Sequence, residues 1–487
     1  MTTMVSPGVY DRIVDRSFIV NAGGILAGGI VITSDRGPTE LTTVTSTSQF
    51  KDRYGLPTRD NPSMFSAFRY LRRANILSVV RVINDAVAAT GFAGEEADPM
   101  FEFTAENPGA WGNDITIEFE DRSEREGDGK FDLIVYEDGE EMERFLVSRD
   151  TEAKDGFGTN LFIEDRVNEN SMLIRVTDNP DVEGDPDFTD TVTLSGGSND
   201  TAPVDSGDIV SAWDLFDNID DVPANLLINA GFAVPEVQVK MLGIAQSRGD
   251  AVALLDVPQD TANDVQQMID YATEDLTQNT YFGGLYGGWV KIYDQYNDRE
   301  VNIPPSADVA AIFNFTASVA ERWNAPAGVQ RGVIPNAMGV SKVFTQGERD
   351  MLYDNNINPV TTYAGASAIV WGQKTLQQQA SALDRFNVVN LILWANQRMK
   401  EALQPFVFEN NTSETRDAVN FLLSSFWENI QQRGGVYNFY VDTSEEINTP
   451  FVIDNNQMLV DVYIQPVRTA EFIRLSTIVT PTGVELG

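Results

Sequence analysis

Few residue types in this chain could do chemistry, because its 487 residues contain neither histidine nor cysteine. That absence removes the usual general base, the commonest zinc ligand, the Ser-His-Asp triad, disulfides and thiolate sites. One carboxylate stands where α/β enzymes often place a catalytic acid: Asp256 ends an apolar strand before Pro258. No second convergent group accompanies it, so the sequence favours an aspartate that stabilises a turn. We predict that the protein is not an enzyme.

Two glycine-bearing segments could suggest nucleotide binding. Residues 365–375 read GASAIVWGQKT, but they lack the Gly-Lys-Ser/Thr order with which a phosphate loop holds its ligand. Gly283, Gly284, Gly287 and Gly288 precede a predicted strand, whereas the glycines of a dinucleotide fold follow a strand and open a helix. We interpret the four glycines as a turn, and neither segment predicts a cofactor.

Acidic residues dominate the chain, with 73 Asp and Glu against 34 Lys and Arg and a formal charge of −39. The densest run, DVEGDPDFTD at 181–190, lacks the ligand spacing of an EF-hand, so a solvated loop is the better interpretation and no metal site is predicted. Such a charge repels nucleic acid phosphates and anionic membranes at long range. We therefore expect no direct nucleic acid partner.

Length and hydropathy predict a globular chain of about three domains with proper cores, since 42% of the residues are hydrophobic. No apolar run reaches the roughly 18 residues of a membrane-spanning helix, and no basic segment followed by an apolar stretch marks the N-terminus. The sequence thus predicts neither membrane insertion nor export by a signal peptide.

The predicted elements change character along the chain. A strand, a helix and a strand are predicted at 25–33, 62–74 and 76–83. From about residue 91 the composition turns acidic and the apolar residues alternate, as in ITIEFE at 115–120 and FDLIVY at 131–136. This alternation is typical of strands with one buried face, and indicates an inserted, mainly β domain.

The second half alternates strands and helices before a helical block. Strands at 225–229, 251–257 and 289–294 alternate with helices at 236–248, 262–277 and 308–322, which predicts a parallel or mixed sheet covered by helices. Two longer helices, 387–403 and 414–432, precede strands at 436–441, 458–465 and 470–480. Five aromatic residues in this block are predicted to form its core: Trp394, Phe406, Phe408, Phe426 and Trp427.

These patterns define the fold class as α+β or α/β and multidomain. A βαβ-containing core carries an inserted mainly β domain, a C-terminal domain of helices and sheet, and extended terminal arms. The predicted boundaries are 1–22 for the N-terminal arm, 23–90 with 201–360 for the core, 91–200 for the acidic insertion, 361–467 for the C-terminal domain and 468–487 for the C-terminal arm.

Short motifs in a fixed order carry a resemblance to one known family. They are SPGVY at 6–10, RGP at 36–38, IPPS at 303–306, WNAPAG at 323–328, VWGQKTL at 370–376, the helix-like run at 387–410 and INTP at 447–450. Together they resemble the contractile tail sheath proteins of myovirus-type bacteriophages, which are related to sheaths of R-type bacteriocins and other contractile injection systems. The resemblance covers roughly residues 5–90 and 205–480.

The resemblance implies a structural polymer without cofactors. Copies of the chain would stack as helical rings around an inner tube and contract, driving the tube through the host envelope during genome delivery. The implied partners are further copies of the chain, the inner tail tube protein, and the baseplate and tail terminator proteins. The implied location is the virion tail sheath, after assembly in the cytoplasm of the host bacterium.

The terminal arms of this family add strands to a neighbour's sheet. Carried over to this chain, the resemblance implies inter-subunit contacts at Val5, Val9, Tyr10, Phe18, Ile19, Phe472, Ile473, Leu475 and Ile478. The C-terminal domain would face the tube, with basic residues as candidate contacts: Arg398, Lys400, Arg416 and Arg433. An equal alternative is that these four form solvated helix faces with partners such as Glu401 and Asp417.

Two other functions remain open from the sequence. The chain could form the sheath of a bacteriocin or a type VI-like injection machine, which only the neighbouring genes would decide. It could also belong to a different class, an α/β small-molecule-binding protein or enzyme with its site in residues 224–294. A sheath subunit would form long helical assemblies, whereas an enzyme would form a small closed oligomer.

Overall fold

A computed structural model describes residues 26–58, 61–95, 97–122, 129–219, 221–363 and 365–472. The multidomain mixed α/β fold class is confirmed, with several separate sheets and three hydrophobic clusters. Within the described residues, no helix is long and apolar enough to cross a membrane.

The predicted strand, helix and strand occur at the start of the core domain, with a further strand and helix between the first two. Its first elements are β1 (Gly28–Ile32), β2 (Thr42–Val44), α1 (Thr47–Tyr54), α2 (Pro62–Leu71) and β3 (Leu77–Arg81). All five residues of β1 and of β3 are buried. Burial on both faces explains why these strands read as continuous apolar runs and not as an alternating pattern.

The acidic insertion follows β3 and has a core of its own. Its elements are β4 (Thr90–Glu95), β5 (Asp98–Ala105), β6 (Ile115–Asp121), β7 (Lys130–Glu137), β8 (Glu140–Ser148), α3 (Ile163–Asn170), β9 (Ile174–Asp178) and β10 (Thr191–Thr193). They form sheets in the orders β10-β6-β7-β8 and β4-β5-β9. Phenylalanines 101, 103, 119 and 131 meet between them, with ring centroids 5.8–6.3 Å apart.

The core domain resumes with a longer series of helices and strands. These are α4 (Ser206–Asp214), β11 (Leu226–Ile228), α5 (Pro235–Arg248), β12 (Val252–Asp256), α6 (Val265–Asp270), β13 (Gly283–Gly287), β14 (Val290–Asp294), β15 (Arg299–Ile303), α7 (Ser306–Val319), α8 (Gly328–Arg331), β16 (Gly339–Val340), α9 (Gln346–Asp354), β17 (Ile357–Tyr363) and β18 (Ala366–Val370). The β14 strand pairs with β15 and β16 in a small sheet.

One eight-stranded sheet organises the core domain in the order β18-β17-β13-β12-β11-β1-β3-β2. Strands β3, β1, β11, β12, β13 and β17 pair in parallel, while β2 and β18 add antiparallel edges. The chain moves outward from β1 in one direction to β3, and later from β11 in the other. The crevice between β1 and β11 is therefore the topological switch point of the sheet.

The predicted turn is wrong for Gly283, Gly284 and Gly287, which lie in the buried strand β13, whereas Gly288 lies in the bend after it with φ +97°. A Cβ on Gly283 would lie 2.4 Å from Leu242 of α5, and one on Gly284 would lie 2.5 Å from Phe386. The glycines thus let helices approach the sheet backbone closely. The sequence pattern misled because close packing and chain reversal both require glycine.

The C-terminal domain comprises α10 (Phe386–Leu403), α11 (Ser413–Gln432), β19 (Val436–Asp442), α12 (Pro450–Asp454) and β20 (Asp461–Pro466). Its cluster contains Trp427, Leu423 and Val419 from one face of α11. The predicted boundary at residue 361 falls inside β17, which belongs to the central sheet. Phe386 and Val389 also pack in the core cluster, so the boundary runs through the first turns of α10.

The insertion contacts the carboxyl ends of the parallel strands of the central sheet, and the C-terminal domain contacts their amino ends. Arg36, just beyond the carboxyl end of β1, pairs with Glu137 of the insertion and stacks over Trp111. Trp394 of α10 instead lines a pocket with Leu26 and Asn225, which precede β1 and β11. Parallel strands share one carboxyl edge and one amino edge, so the two domains lie at the two ends of the core.

Candidate assembly surfaces

Asp256 is a structural residue that holds two loops at the carboxyl edge of the sheet. Its carboxylate accepts hydrogen bonds from the Ser306 amide at 2.8 Å, the Ser306 hydroxyl at 2.7 Å and the Gly231 amide at 3.1 Å. Burial raises the pKa of Asp256 to about 7, although these donors act in the opposite direction. With its oxygens occupied, the carboxylate fixes the first turn of α7, as the turn-stabilising interpretation predicted.

The switch-point crevice, where many α/β enzymes bind ligands, is filled by the protein itself. A Cβ built on Gly231, after β11, would lie 3.3 Å from Pro304 and 3.5 Å from Pro62. The indole of Trp289 lies beside them at 3.6 Å and donates its Nε1–H to the Val257 carbonyl at 3.0 Å. Two prolines and a buried tryptophan therefore occupy the place where such enzymes bind a small molecule.

The segment that most nearly resembled a phosphate loop is a strand and an irregular loop. Residues 366–370 form β18, and Lys374 after it donates its ammonium to the Tyr353 carbonyl at 2.6 Å. No helix follows directly to supply amides for a phosphate, since the next α-helix starts at Phe386. The lysine is thus engaged in joining α9 to this loop.

The acidic run at 181–190 surrounds an arginine. Arg149 donates to the carbonyls of Val182, Gly184 and Asn179 at 2.6–2.9 Å and pairs with Asp178 at 2.7 Å. Across the described part of the chain, no cluster of three or more acidic residues could hold a metal ion. Val182 and Gly184 belong to this run, so Arg149 fixes the start of the loop.

The most unusual surface belongs to the two-stranded sheet of the C-terminal domain. Its inner face contributes Phe439, Val441, Val462 and Ile464 to the domain's cluster. On the outer face Tyr440 and Tyr463 stack with ring centroids 6.1 Å apart, and both are more than half exposed. Within the described residues each strand pairs only with the other. An exposed strand edge beside an aromatic face is a template for strands of another chain.

More apolar surface lies on the helices of the same domain. Phe421 of α11 is 76% exposed, Phe451 of α12 is equally exposed, and Phe408 after α10 is fully exposed. The prediction that Phe408 belongs to the core was wrong, because the chain turns there with φ +73° and directs the residue outward. Trp427 is buried, and Trp394, Phe406 and Phe426 pack partly buried against the cluster. Exposed aromatic groups of this kind mark interaction surfaces.

The known proteins that this chain resembles are tail sheath proteins. The family model for the phage tail sheath protein central domain matches residues 202–376, and the model for the phage tail sheath C-terminal domain matches residues 378–480. The tail sheath protein of Enterobacteria phage T4 is 30% identical over 379 residues, which are 74% of this chain and 57% of that protein. The tail sheath protein of Vibrio phage KVP40 is 30% identical over 380 residues, or 73% and 56%.

The chain belongs to the phage tail sheath family. It spans little more than half the length of the curated sheath relatives that it matches. Solved sheath structures share its fold. The sheath tail protein of Listeria innocua matches with a TM-score of 0.63 at 14% identity, over 91% of this chain and 96% of that chain. The anti-feeding prophage helical sheath in its contracted state matches with a TM-score of 0.56 at 16% identity, over 97% and 99%.

Most of the sheath-arm residues predicted above lie outside the described residues. These are Val5, Val9, Tyr10, Phe18, Ile19, Ile473, Leu475 and Ile478. Phe472, the last described residue, is 82% exposed.

The four cations proposed to contact the tube have different surroundings. Arg416 is only 6% exposed, and it donates to Asn411 at 2.9 Å. Arg433 pairs with Glu321 at 2.6 Å and stacks over Trp323, which joins α11 to the core domain. Arg398 pairs with Glu401 within α10 at 2.7 Å, and Lys400 is exposed on the same helix. Arg416 and Arg433 thus hold their own subunit together.

Sequence reasoning missed the exposed pair Tyr440 and Tyr463. A signal existed, because the runs YNFYVD at 437–442 and DVYIQP at 461–466 carry aromatic or apolar residues on both faces of their strands. A strand with one solvated face would alternate apolar and polar residues. Aromatic residues on the second face indicate a surface that another chain covers.

Proposed function

We propose that this chain is the subunit of a contractile tail sheath. It polymerises in helically stacked rings around an inner tube and contracts to drive the tube through the host cell envelope during genome delivery. The observation that carries the proposal is the match of two successive tail sheath domain models to most of residues 202–480. The matching fold of the anti-feeding prophage sheath in its contracted state supports it.

Subunits are linked through the terminal arms, residues 1–22 and 468–487. Support comes from the two-stranded β19–β20 sheet, whose outer edges have no strand partner among the described residues. A two-stranded sheet is marginal by itself, and added strands would make main-chain hydrogen bonds irrespective of the partner's side chains. Flexible links next to such paired strands allow rings to move while the pairing persists.

The energy for contraction is stored in the assembly. No nucleotide-binding motif occurs in the sequence, and prolines and Trp289 fill the switch-point crevice of the sheet. We therefore infer that the protein acts as a structural subunit and not as an enzyme. The extended polymer is then a metastable state, and contraction releases the difference in free energy in one direction.

The acidic insertion faces outward, away from the tube. Residues 91–200 contain 31 acidic and 8 basic residues, a net charge of −23. The insertion lies at the carboxyl edge of the central sheet, whereas the C-terminal domain lies at the amino edge. If the C-terminal domain contacts the tube, the insertion points the other way, where salt screens its charge within about 10 Å.

Tube contact is assigned to Arg398 and Lys400 of α10. Weak, screened polar contacts suit a sheath that must hold its tube before contraction and release it afterwards. Charge reversal in an Arg398→Glu, Lys400→Glu variant should reduce assembly on tubes and leave tube-free polysheath formation unchanged. The exposed Lys51 on α1 provides the control as Lys51→Glu. Equal loss of both kinds of assembly would count against this role.

Baseplate and tail terminator proteins are the further partners, and the virion tail is the location, with assembly in the host cytoplasm. Solved sheaths of similar fold also come from the anti-feeding prophage and an extracellular contractile injection system. A bacteriocin or type VI-like machine is therefore the second candidate. The phage proteins share twice the identity of those structures, which favours a phage tail.

Electron microscopy of the purified chain tests the proposed function. The full chain should form long tubes or helical polymers, and a variant lacking residues 1–20 should remain a folded monomer. Circular dichroism and gel filtration of the variant verify its fold and size. Normal sheaths formed by the variant would exclude the N-terminal arm as a link, and a small closed oligomer of the full chain would exclude the sheath function.

A further inference from the structure

After β20 the chain crosses from the C-terminal domain back to the core domain. The Val467 amide donates to the Gly435 carbonyl at 3.1 Å, beside the C-terminal sheet. The Asn387 side-chain amide, at the start of α10, donates to the Val467 carbonyl at 3.3 Å. Four residues later the side chain of Glu471 lies on the core domain.

Glu471 accepts hydrogen bonds from three core residues. Arg385 Nε lies 2.9 Å from Oε1 and 3.0 Å from Oε2, the Gln373 amide donates to Oε1 at 3.0 Å, and the Tyr353 hydroxyl donates to Oε2 at 2.9 Å. The Glu471 side chain is only 17% exposed. Both carboxylate oxygens are thus occupied, and the arginine makes charge-assisted bonds, which are among the stronger ones in proteins.

The three donors come from separate parts of the core domain. Tyr353 ends α9, Gln373 follows β18, and Arg385 directly precedes α10. The guanidinium of Arg385 and the ammonium of Lys374 also lie over the Tyr353 ring, 5.6 Å and 4.5 Å from its centroid. These stacking contacts hold Arg385 and Tyr353 next to each other, where both donate to Glu471. The next residue, Phe472, is 82% exposed, so the anchored and the exposed parts of the chain meet at one peptide bond.

We propose that Glu471 is the anchor that fixes where the C-terminal arm leaves its own subunit. The inference rests on the proposed sheath function for its consequence, but its geometry is a property of the single chain. The last attachment point on the subunit's own core is then Glu471, although the last strand of the C-terminal domain ends at Pro466. The anchor ties the arm to the rigid core domain and not to the smaller C-terminal domain.

Loss of the anchor would move the last attachment point of the chain back from Glu471 to Val467. Residues 468–471 would then no longer be held, which adds up to about 13 Å of reach, at roughly 3.3 Å per extended residue. A longer free link lowers the effective concentration of the arm at its acceptor and relaxes the register between neighbouring subunits. Extended sheaths, which depend on that register, should suffer more than the fold of the subunit.

Hydrogen exchange of the full-length chain tests the anchor directly. In Glu471→Ala, the Val467 amide, which is hydrogen-bonded to the Gly435 carbonyl, should exchange at least tenfold faster than in the wild type, and Tyr353→Phe should give a smaller increase. The matched control is Glu300→Ala, which removes a carboxylate paired with Lys291 on the surface of the small sheet. It should leave exchange of the Val467 amide unchanged, and thermal melting should confirm that all three variants are folded.

Electron micrographs of sheaths assembled on tubes measure the effect of the anchor on the register between neighbouring subunits. Glu471→Ala should give fewer extended sheaths than Glu300→Ala, while tube-free polymers still form. Unchanged exchange of the Val467 amide would overturn the anchor, and faster exchange with normal extended sheaths would overturn its role in register. If the wild-type chain forms no polymer, the proposed function fails, yet the exchange measurement still decides whether Glu471 is an anchor.

Discussion

The acidic insertion and the C-terminal domain are both built from helices and antiparallel sheet, but they differ in the surface that they expose. The insertion packs a four-stranded and a three-stranded sheet around clustered phenylalanines, and its surface is charged. The C-terminal domain has a two-stranded sheet on α11, with Tyr440, Tyr463 and Phe421 exposed. Both domains expose apolar side chains, such as Phe157 and Met172 in the insertion, but in the C-terminal domain exposed tyrosines stack on one face of a two-stranded sheet. This difference makes the C-terminal sheet the stronger candidate for contact with other chains.

The largest effect should come from emptying the core of each domain. Trp427→Ala in the C-terminal domain and Phe131→Ala in the insertion remove side chains that are 2% and 0% exposed. Each should lower the free energy of unfolding of its domain by about 3–5 kcal/mol. We expect only Trp427→Ala to abolish sheath formation, because the proposed assembly face of β19–β20 packs on the cluster that contains Trp427.

Calorimetry and electron microscopy of the same samples test the Trp427→Ala and Phe131→Ala variants. A lower melting temperature for both variants, with polymers lost only for Trp427→Ala, is the expected pattern. Loss of polymers in Phe131→Ala, with the rest of the chain folded, would show that the insertion takes part in assembly.

A smaller effect is expected from removing the insertion altogether. Val87 and Ser198 exchange two main-chain hydrogen bonds of 3.0 Å, so the chain enters and leaves the insertion at one point. Joining them through Asn-Gly, which favours a two-residue hairpin turn, deletes residues 88–197 and changes the net charge from −39 to −17. Assembly should be retained, and its salt dependence should weaken because less like charge is brought together.

Light scattering at two salt concentrations measures that change. The full chain should polymerise better in higher salt, and the shortened chain should respond less. A shortened chain that folds but never polymerises would mean that the insertion supplies inter-subunit contacts.

The smallest change in stability should come from the exposed aromatic pair. Tyr440→Ser with Tyr463→Ser removes one cross-strand pair and should cost about 0.2–1 kcal/mol in the monomer. Sheath yield should nevertheless fall, since the same rings form the outer face of β19–β20. Met142→Ser, at an exposed position of β8 in the insertion, is the control and should change neither quantity. Denaturant unfolding measures the stability of the monomer, and sedimentation of polymers measures the sheath yield. If the double tyrosine variant and the wild type gave equal sheath yields, the tyrosines would not belong to the interface.

Long periodic segments were predictable from the sequence. The helices predicted at 387–403 and 414–432 occur at Phe386–Leu403 and Ser413–Gln432, because an apolar stripe repeating every three to four residues has few other solutions. The strands β1, β3 and β12 were predictable as short continuous apolar runs, because they are buried on both faces. The assembly surfaces were less accessible, since exposure depends on which side of an element meets the rest of the fold.

The sequence by itself determined the family, the order of the elements, the acidic insertion and the lack of histidine and cysteine chemistry. These properties lie in composition and in patterns over short distances. Only the tertiary structure decided that Gly283 and Gly284 form a buried strand, that Arg416 is buried, and that Glu471 meets residues 86–118 positions earlier in the chain. Each depends on contacts between distant segments. Local periodicity carries no information on which segments meet, because packing and hydrogen bonding across the whole fold select those partners.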